Sequence, residues 1–432
     1  MSSDAEGNNV GFKHELNHSH SNDFTTSPVE DGATYSGWRI GVILLGALIA
    51  LPAFVTGAEL GNSLGPRGAF VAIIIASLTL TLFALPCAIA GASSRLSSYM
   101  LIIDAFGTTG GRCVNAVLSL SMLGWFGVIA MMFGGAMRAA APPALSIGIS
   151  TWAVIGCTLM VFTNLFGFRA LDALSLIATP LKACLLLWAA WTAFQMDPSV
   201  VQRVFVAQYP VSTGVSMIVG GIVVGILLLP DITRFARSPM HAVLACGVAI
   251  ALGLPLILVL AGYPSLATHE RDLVPIMLKL GLGLPAMAVI LFSAWSTNTY
   301  NLYASTLMWS TIVTNRPRWK IVLATGSVGS ALGLLGLADQ FIPYMIALSV
   351  AIPPIGGIYL TNYYRFRHIT ERFRAAWRWP AFAAWILAMG GAIVENAFHF
   401  ALTSIPALDS FALAGVAYLL FFRTSMCLRA AE

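Results

Sequence analysis

Stretches of about 20 mostly apolar residues, the length that an α-helix needs to cross a bilayer, recur from Trp38 to the C-terminus with short polar segments between them. Only 9% of the 432 residues are charged and 58% are hydrophobic, which leaves too little charge to cover a soluble globule of this size. The sequence therefore predicts an all-α polytopic membrane protein with about 12 transmembrane helices. Their approximate centres are Leu51, Ser77, Trp125, Gly156, Lys182, Val224, Pro255, Trp295, Gly326, Ser349, Leu387 and Gly415.

Lysine and arginine residues fall in alternate loops between the predicted spans. The densest group runs from Arg365 to Arg378, between spans 10 and 11. By the positive-inside rule these loops and both termini face the cytoplasm, and we expect the protein in a bacterial inner membrane. The net charge of +5 follows from this topology, so we expect no nucleic-acid partner. Residues 1–36 are polar and lack a signal-peptide pattern, and we expect a disordered cytoplasmic tail there.

No loop is long enough to hold a soluble domain, which leaves a transporter, a channel or an intramembrane enzyme. A channel needs a ring of repeated filter residues. An intramembrane protease needs paired Ser and His, two Asp or a His-Glu-x-x-His helix at membrane depth. The sequence shows neither pattern. We therefore expect a transporter, with no enzymatic activity and no cofactor, that acts as a monomer in the lipid bilayer.

Two predicted spans contain stretches interrupted by Gly and Pro, 51-LPAFVTGAELGNSLG-65 in span 1 and 217-MIVGGIVVGILLLPD-231 in span 6. Transporters built from inverted repeats carry such stretches in corresponding spans, close to the binding site. The five-span offset predicts repeats at 37–194 and 205–364, with accessory spans at 379–425.

Within span 1, Pro52 lacks a backbone donor, and we expect it to free the Leu48 carbonyl as a ligand for a small cation. Gly57 and Gly61 are expected to weaken the helix beyond it. The alternative is an ordinary proline kink, which membrane helices tolerate.

Span 8 has an unusual density of hydroxyls and amides, in 293-SAWSTNTYNLYASTL-307. Unpaired polar groups are costly in hydrocarbon, so these side chains must face a cavity or other helices. Ser296 and Thr297 are candidate cation ligands, with Na⁺ as the possible metal. Asn298 and Asn301 are candidate contacts for a planar polar substrate. Hydrogen bonding between helices is the alternative, and it explains one or two such residues better than six.

Trp125 lies in the middle of span 3, in 124-GWFGVIAMMFGGAM-137. Its indole offers a flat stacking surface for a heteroaromatic ring. Gly124 and Gly127 allow a close approach to the backbone. A Trp packed in the core between close helices explains the pattern equally well.

Four motifs in the order of the chain resemble the nucleobase:cation symporter-1 family, which includes the cytosine permeases. They are GWFGV at 124–128, PDITRFAR at 230–237, WSTN at 295–298 with LYAST at 302–306, and AIPPIGGIYLTNYY at 351–364. The resemblance implies the five-plus-five inverted-repeat fold with two accessory helices. It also implies import of a nucleobase or a related planar heterocycle with a cation.

By the same resemblance, Trp125 stacks on the substrate ring. Ser296 and Thr297 match sodium-binding hydroxyls, and carbonyls near Ala47 and Ala50 complete that site. The chain departs from the cytosine permeases where Met122 replaces a Gln that binds the base.

It departs again at Gly221 and Ile222, which replace part of a serine-rich stretch. With Met122, these residues predict a substrate site that is less polar than a cytosine site.

Lys182 lies near the centre of span 5, where a lysine costs about 3 kcal/mol. We expect its ammonium to replace or compete with sodium at Ser296 and Thr297, so that protonation couples transport to a proton gradient. The alternative is a structural lysine paired with Glu59 or with backbone carbonyls. Glu59 itself is a candidate for proton coupling or for a place in the outer vestibule. The coupling ion is therefore H⁺ or Na⁺.

The predicted function is import of a planar heterocycle by alternating access, with the binding site between spans 1, 3, 6 and 8. An amino-acid or amine carrier on the same fold is the alternative.

Overall fold

The computed structural model describes residues 28–30, 32, 34–141, 147–200, 205–271, 273–313, 315–368, 375–398, 403 and 405–431. Within these ranges the regular structure is helical, apart from an isolated parallel bridge between Tyr35 and Ala236. Residues 1–27 of the predicted tail lie outside the described residues.

Sixteen helices are used to describe the fold. The first eight are α1 (Gly37–Leu48), α2 (Leu51–Ser94), α3 (Ser98–Phe106), α4 (Thr108–Ala140), α5 (Ile149–Asn164), α6 (Phe168–Met196), α7 (Val211–Leu227) and α8 (Leu229–Thr233). The second eight are α9 (Pro239–Thr268), α10 (Leu273–Lys279), α11 (Gly283–Ile312), α12 (Arg318–Leu334), α13 (Phe341–Ala351), α14 (Pro353–Thr361), α15 (Trp379–Phe398) and α16 (Pro406–Ala431). Gly65, with a φ of 69°, marks a kink inside α2.

Six described helical segments are long and apolar enough to cross a membrane, one of them the run Leu337–Phe366 that contains α13 and α14, and four more helices are apolar but shorter. Helices α11 and α12 belong to neither group, and α11 carries the polar side chains that begin at Ser293. Each of the twelve predicted centres falls within a described helix. The all-α membrane fold is thus confirmed, whereas the number of crossings and the inverted repeat stay predictions.

The chain breaks between α1 and α2, inside predicted span 1. Ile49 has φ −78° and ψ 80°, close to an inverse γ-turn, and Ala50 is extended. The Ala50 amide donates to the Leu48 carbonyl (2.9 Å) instead of reaching back to Gly46. The prediction that Pro52 frees the Leu48 carbonyl is therefore wrong, because this carbonyl accepts the Ala50 amide in the turn. The carbonyl that loses its usual helical donor is that of Gly46.

Gly57 and Gly61 do not interrupt α2. A side chain at Gly57 would overlap the backbone of α9 at Leu258 and Gly262. These glycines allow two helices to pack closely, and the predicted weakening of the helix does not appear as a break at either position.

A second break, at Leu228, separates α7 from α8. It lies in the interrupted stretch of predicted span 6, but near its end, since the glycines at 220, 221 and 225 all lie within the continuous helix α7. Two short helices, α3 and α10, join predicted spans 2 to 3 and 7 to 8. The sequence analysis predicted neither.

Helix α4 begins against a distant part of the chain. The Thr108 and Thr109 amides donate to the carbonyls of Ala375 and Ala376, at 3.0 and 2.9 Å, and the Gly110 amide shares the Ala376 carbonyl. The first amides of a helix lack partners within the helix. Here the segment that leads into α15 supplies them.

Candidate functional site

A cavity of about 1040 Å³, which includes space open to solvent, lies between the α1–α2 break and helices α4, α7 and α11. Its walls are mostly apolar. Eight of the predicted site residues line it: Ala47, Ala50, Met122, Trp125, Gly221, Ile222, Thr297 and Asn301. We call this space the main cavity.

Trp125 lies in the wall of the main cavity, and two aromatic side chains of α13 pack against its indole. These are Phe341 and Tyr344, in edge-to-face contacts with centroid distances of 5.8 and 5.6 Å. The Tyr344 hydroxyl donates to the Ser121 carbonyl (2.5 Å). This arrangement fixes the plane of the indole beside the cavity, as a stacking surface requires.

The glycines beside Trp125 serve the protein's own packing. Gly124 makes room for the Tyr344 side chain, and Gly127 packs against the backbone of α12 at Gly333. The close approach predicted from these glycines is therefore made by neighbouring helices.

Few polar side chains reach the main cavity. Among the described residues, the hydroxyl and amide side chains that line it are Thr56, Thr297, Tyr300 and Asn301, and three of them belong to α11. Met122, Gly221 and Ile222 contribute apolar surface, as predicted from their departure from the cytosine permeases. A ligand here meets apolar walls on most sides and polar groups mainly along one helix.

Asn298 is buried and is not among the residues that line the main cavity. Its amide nitrogen donates to the Phe126 carbonyl (2.9 Å) and lies 3.3 Å from the Met160 sulfur. Its amide oxygen accepts from Asn301 (3.4 Å). The structure gives Asn298 a contact between helices in place of the predicted substrate contact, while Asn301 reaches the cavity.

Lys182 is 3% exposed and reaches across from α6 to two neighbours. Its Nζ donates to the Gly46 carbonyl (3.1 Å) and to the Thr297 hydroxyl (3.4 Å). A methyl group at Gly46 would overlap the Thr179 hydroxyl of α6, so the glycine permits this close approach. In the part of the chain that the structure describes, no carboxylate forms an ion pair with Lys182.

The ammonium thus lies among the residues predicted to hold sodium. Ser296 and Lys182 line a second cavity of about 880 Å³. The Ser296 hydroxyl donates to the Ser293 carbonyl (3.0 Å). The Ala50 carbonyl accepts the Ala53 amide (2.9 Å). Hydroxyl and carbonyl oxygens of this kind suit Na⁺, but the ammonium already uses the Thr297 oxygen.

The second cavity also receives the side chains of Asp231 and Arg234. It shares four lining residues with the main cavity: Ala47, Ile232, Thr297 and Tyr300. These residues form a common wall, and we call the second space the lysine cavity.

Glu59 lies away from both cavities, in an outer polar cluster. Its carboxylate accepts from Ser63 (2.7 Å) and pairs with Arg271 (3.6 Å). Burial, and then the nearby Glu59 carboxylate, raise the pKa of Tyr209 to about 12, so this phenol stays neutral near pH 7. The alternative for Lys182 is a pairing with Glu59 or with backbone carbonyls. The structure shows the second, at the Gly46 carbonyl, whereas Glu59 pairs with Arg271.

A family model described as a permease for cytosine/purines, uracil, thiamine and allantoin matches residues 28–419. The match covers most of the 432 residues. The chain belongs to this permease family. The resemblance read from its motifs is thereby confirmed, and its relatives are transporters rather than enzymes. The protein is an integral membrane transporter.

Two curated relatives of the transporter are the cytosine permeases of Escherichia coli strain K12 and of Escherichia coli O157:H7. Each is 30% identical over 373 residues, which span 85% of this chain and 88% of the relative.

Solved structures establish the fold of the transporter. The nucleobase-cation-symport-1 family transporter Mhp1, closed with bromovinylhydantoin bound, gives a TM-score of 0.78 at 16% identity over 92% of this chain and 94% of Mhp1. Its inward-facing form gives 0.79 at 16% identity, over 93% of each chain. A Na⁺-coupled sialic acid symporter gives 0.61 at 12% identity, over 93% of this chain and 92% of the symporter.

Sequence reasoning missed several residues that shape the site. Tyr300 belongs to the polar run of span 8 and could have been found there. Gly46 immediately precedes Ala47, so the predicted carbonyl was one residue away. Phe341 and Tyr344 carried no local signal, because only the fold brings α13 against Trp125.

Proposed function

We propose that the transporter imports a planar nitrogen heterocycle with a cation by alternating access, and that the main cavity is the substrate site. The observation that carries the proposal is the packed indole of Trp125 in a largely apolar cavity that polar side chains of α11 also line. The family model names cytosine, purines, uracil, thiamine and allantoin. The apolar Met122, Gly221 and Ile222 argue for a substrate with less hydrogen-bonding capacity than cytosine.

The proposed architecture has repeats at 37–194 and 205–364 with accessory helices at 379–425. Two observations support it. A break interrupts the first predicted span of each repeat, at Ile49 and at Leu228. A short linker helix, α3 or α10, follows the second predicted span of each repeat. Both termini on the cytoplasmic side of a bacterial inner membrane, and a monomer as the working unit, belong to the same proposal.

The proposed coupling ion is a proton carried by Lys182. A charged ammonium has three donors, and two of them tie α6 to α1 and to α11 through Gly46 and Thr297. Loss of the proton removes the charge and one donor, which weakens both contacts. Proton binding and release at Lys182 would thus change the strength of the contact between α1 and α6. Asp231 and Arg234, in the same cavity, are the other charged groups near this path.

A binding screen on the purified protein tests the substrate class. Thermal shifts with adenine, cytosine, allantoin and representative amino acids should show stabilisation by at least one heterocycle, because a ligand that binds only the folded state stabilises it. Stabilisation by amino acids alone would favour the amino-acid carrier and overturn the proposal.

Uptake into proteoliposomes then tests the coupling ion. Wild-type protein should concentrate the heterocycle under an inward proton gradient without sodium. Lys182→Met should abolish this response, and Lys320→Met, at an exposed lysine, should leave it unchanged. Strict sodium dependence of the wild type, or undiminished proton-driven uptake by Lys182→Met, would contradict proton coupling.

A further inference from the structure

Two asparagine side chains of α11 form a short hydrogen-bonded chain that ends at the main cavity. It runs from the Phe126 carbonyl through Asn298 to Asn301. Asn298 is fully buried, and Asn301 is 7% exposed and lines the cavity.

The orientation of both amides follows from the first partner. A backbone carbonyl can only accept, so the Asn298 atom that meets Phe126 must be the NH₂ group. The Asn298 oxygen therefore points to Asn301, and an oxygen can receive only an N–H from that side. The NH₂ group of Asn301 must turn toward Asn298, which turns its oxygen away. Donor and acceptor ends of an amide are otherwise hard to assign, but here a carbonyl sets the direction of the chain.

Among the described residues, the other polar side chains of the main cavity are the hydroxyls of Thr56, Thr297 and Tyr300 and the indole of Trp125, whose N–H can only donate. A hydroxyl can donate or accept and so adapts to either kind of ligand edge. The Asn301 oxygen can only accept. It is therefore the group in this wall that distinguishes an N–H on the ligand from a ring nitrogen that carries a lone pair.

We propose that Asn298 is a positioning residue that fixes Asn301 as an acceptor, so that the transporter selects heterocycles with a ring N–H or amino group beside Trp125. This proposal rests on the proposed function and names the substrate's polar edge. Lactam heterocycles and amino-substituted rings meet the requirement. Derivatives whose donor is blocked leave the Asn301 oxygen unpaired in a buried site, which typically weakens binding about 10- to 100-fold.

The test compares three forms of one heterocycle that binds the wild type: the parent, its N-methyl derivative and its C-methyl derivative. Titration calorimetry on the purified full-length transporter should show at least tenfold weaker binding of the N-methyl form than of the C-methyl form. The two derivatives have the same size, so the ratio of their dissociation constants reports the loss of the ring N–H donor rather than the added methyl group.

Asn298→Ala frees the Asn301 amide to rotate. The ratio between the N-methyl and C-methyl forms should fall below about threefold, while the C-methyl form still binds. Asn301→Ser is the second variant, because it replaces the acceptor with an adaptable hydroxyl and leaves Asn298 bonded to Phe126; it should also reduce the ratio.

Asn164→Ala provides the matched control. Asn164 is a buried amide that donates to the Thr299 carbonyl (2.8 Å) on α11, away from the main cavity. Its loss should leave the ratio at the wild-type value even if the protein is less stable.

Equal binding of the two methyl derivatives by the wild type would overturn the proposal, as would a wild-type ratio in both Asn298→Ala and Asn301→Ser. If no heterocycle binds at all, the proposed function fails, and that result differs from binding without discrimination.

Discussion

The main cavity and the lysine cavity share a wall but differ in chemistry. The main cavity is lined by apolar side chains, hydroxyls and one amide, whereas the lysine cavity contains Lys182, Asp231 and Arg234. A neutral flat ligand suits the first space, because burying it requires no charge compensation. The charges are confined to the second. Under the proposed function, recognition and coupling would be separate tasks, linked through shared lining residues such as Thr297.

The largest effect on this separation of tasks is expected from a substitution that pushes α1 and α6 apart. Gly46→Ala should lower proton-driven uptake about 10- to 100-fold, because overlap with Thr179 at a packed contact costs about 1–3 kcal/mol. Heterocycle binding in the main cavity should change less than uptake. The measurements are initial uptake rates in proteoliposomes and equilibrium binding in detergent.

Two further variants make the Gly46 result specific. Thr179→Ala in the Gly46→Ala background should restore much of the uptake, because it removes the overlapping hydroxyl. Gly135→Ala, where a new methyl group meets nothing within 4 Å, should behave like the wild type. Normal uptake by Gly46→Ala would show that the contact between α1 and α6 is not needed.

The converse change removes the stacking surface of the main cavity. Trp125→Ala should weaken heterocycle binding about tenfold or more, since stacking on an aromatic side chain is worth about 1–3 kcal/mol per ring. Trp125→Phe should retain part of the affinity. Trp319→Ala, at an exposed tryptophan, serves as control. Unchanged affinity in Trp125→Ala would contradict the proposal that the substrate binds in the main cavity.

A smaller effect is expected from the support behind the indole. Tyr344→Phe keeps the ring but removes the bond to the Ser121 carbonyl, which is worth about 1 kcal/mol or about fivefold in binding. Tyr364→Phe removes a similar bond to the Pro86 carbonyl (3.0 Å) at an exposed position. Equal effects of the two changes on affinity would argue against a role of Tyr344 in holding Trp125.

The smallest effect is expected at the outer cluster, which belongs to neither cavity. Glu59→Gln removes the pairing with the half-exposed Arg271. Solvent-exposed pairs contribute about 0–1 kcal/mol, so affinity and uptake should change less than fivefold. A larger loss of proton-driven uptake would indicate that Glu59 takes part in proton coupling. Glu270→Gln, which removes the pairing with Lys279, is the comparison.

The sequence predicted the parts of this transporter that local patterns determine. Apolar runs gave the helices, and the polar run of span 8 gave Thr297 and Asn301. Lys182 was identified because a charge in the middle of an apolar span is costly. Its contact with Thr297 agrees with the prediction, although its coupling role has yet to be tested.

What the sequence could not provide depends on the rotation of helices and on distant contacts. Asn298 and Asn301 are both polar and only three residues apart, yet only one reaches the main cavity, because α4 presents the Phe126 carbonyl to the other. The pairing of Glu59 with Arg271 had no local pattern in the sequence, because the two residues are more than 200 positions apart. The helix α3 was missed because it is short and ends at a glycine after only nine residues.

The start of α4 has a mechanical consequence for the accessory helices. Three amides at that end depend on carbonyls of the segment that leads into α15, and the same continuous helix carries Trp125 further along. A rigid helix transmits displacement along its whole length. Any tilt of α4 at the level of Trp125 would therefore strain the hydrogen bonds to Ala375 and Ala376, and these bonds link the position of α4 to that of α15.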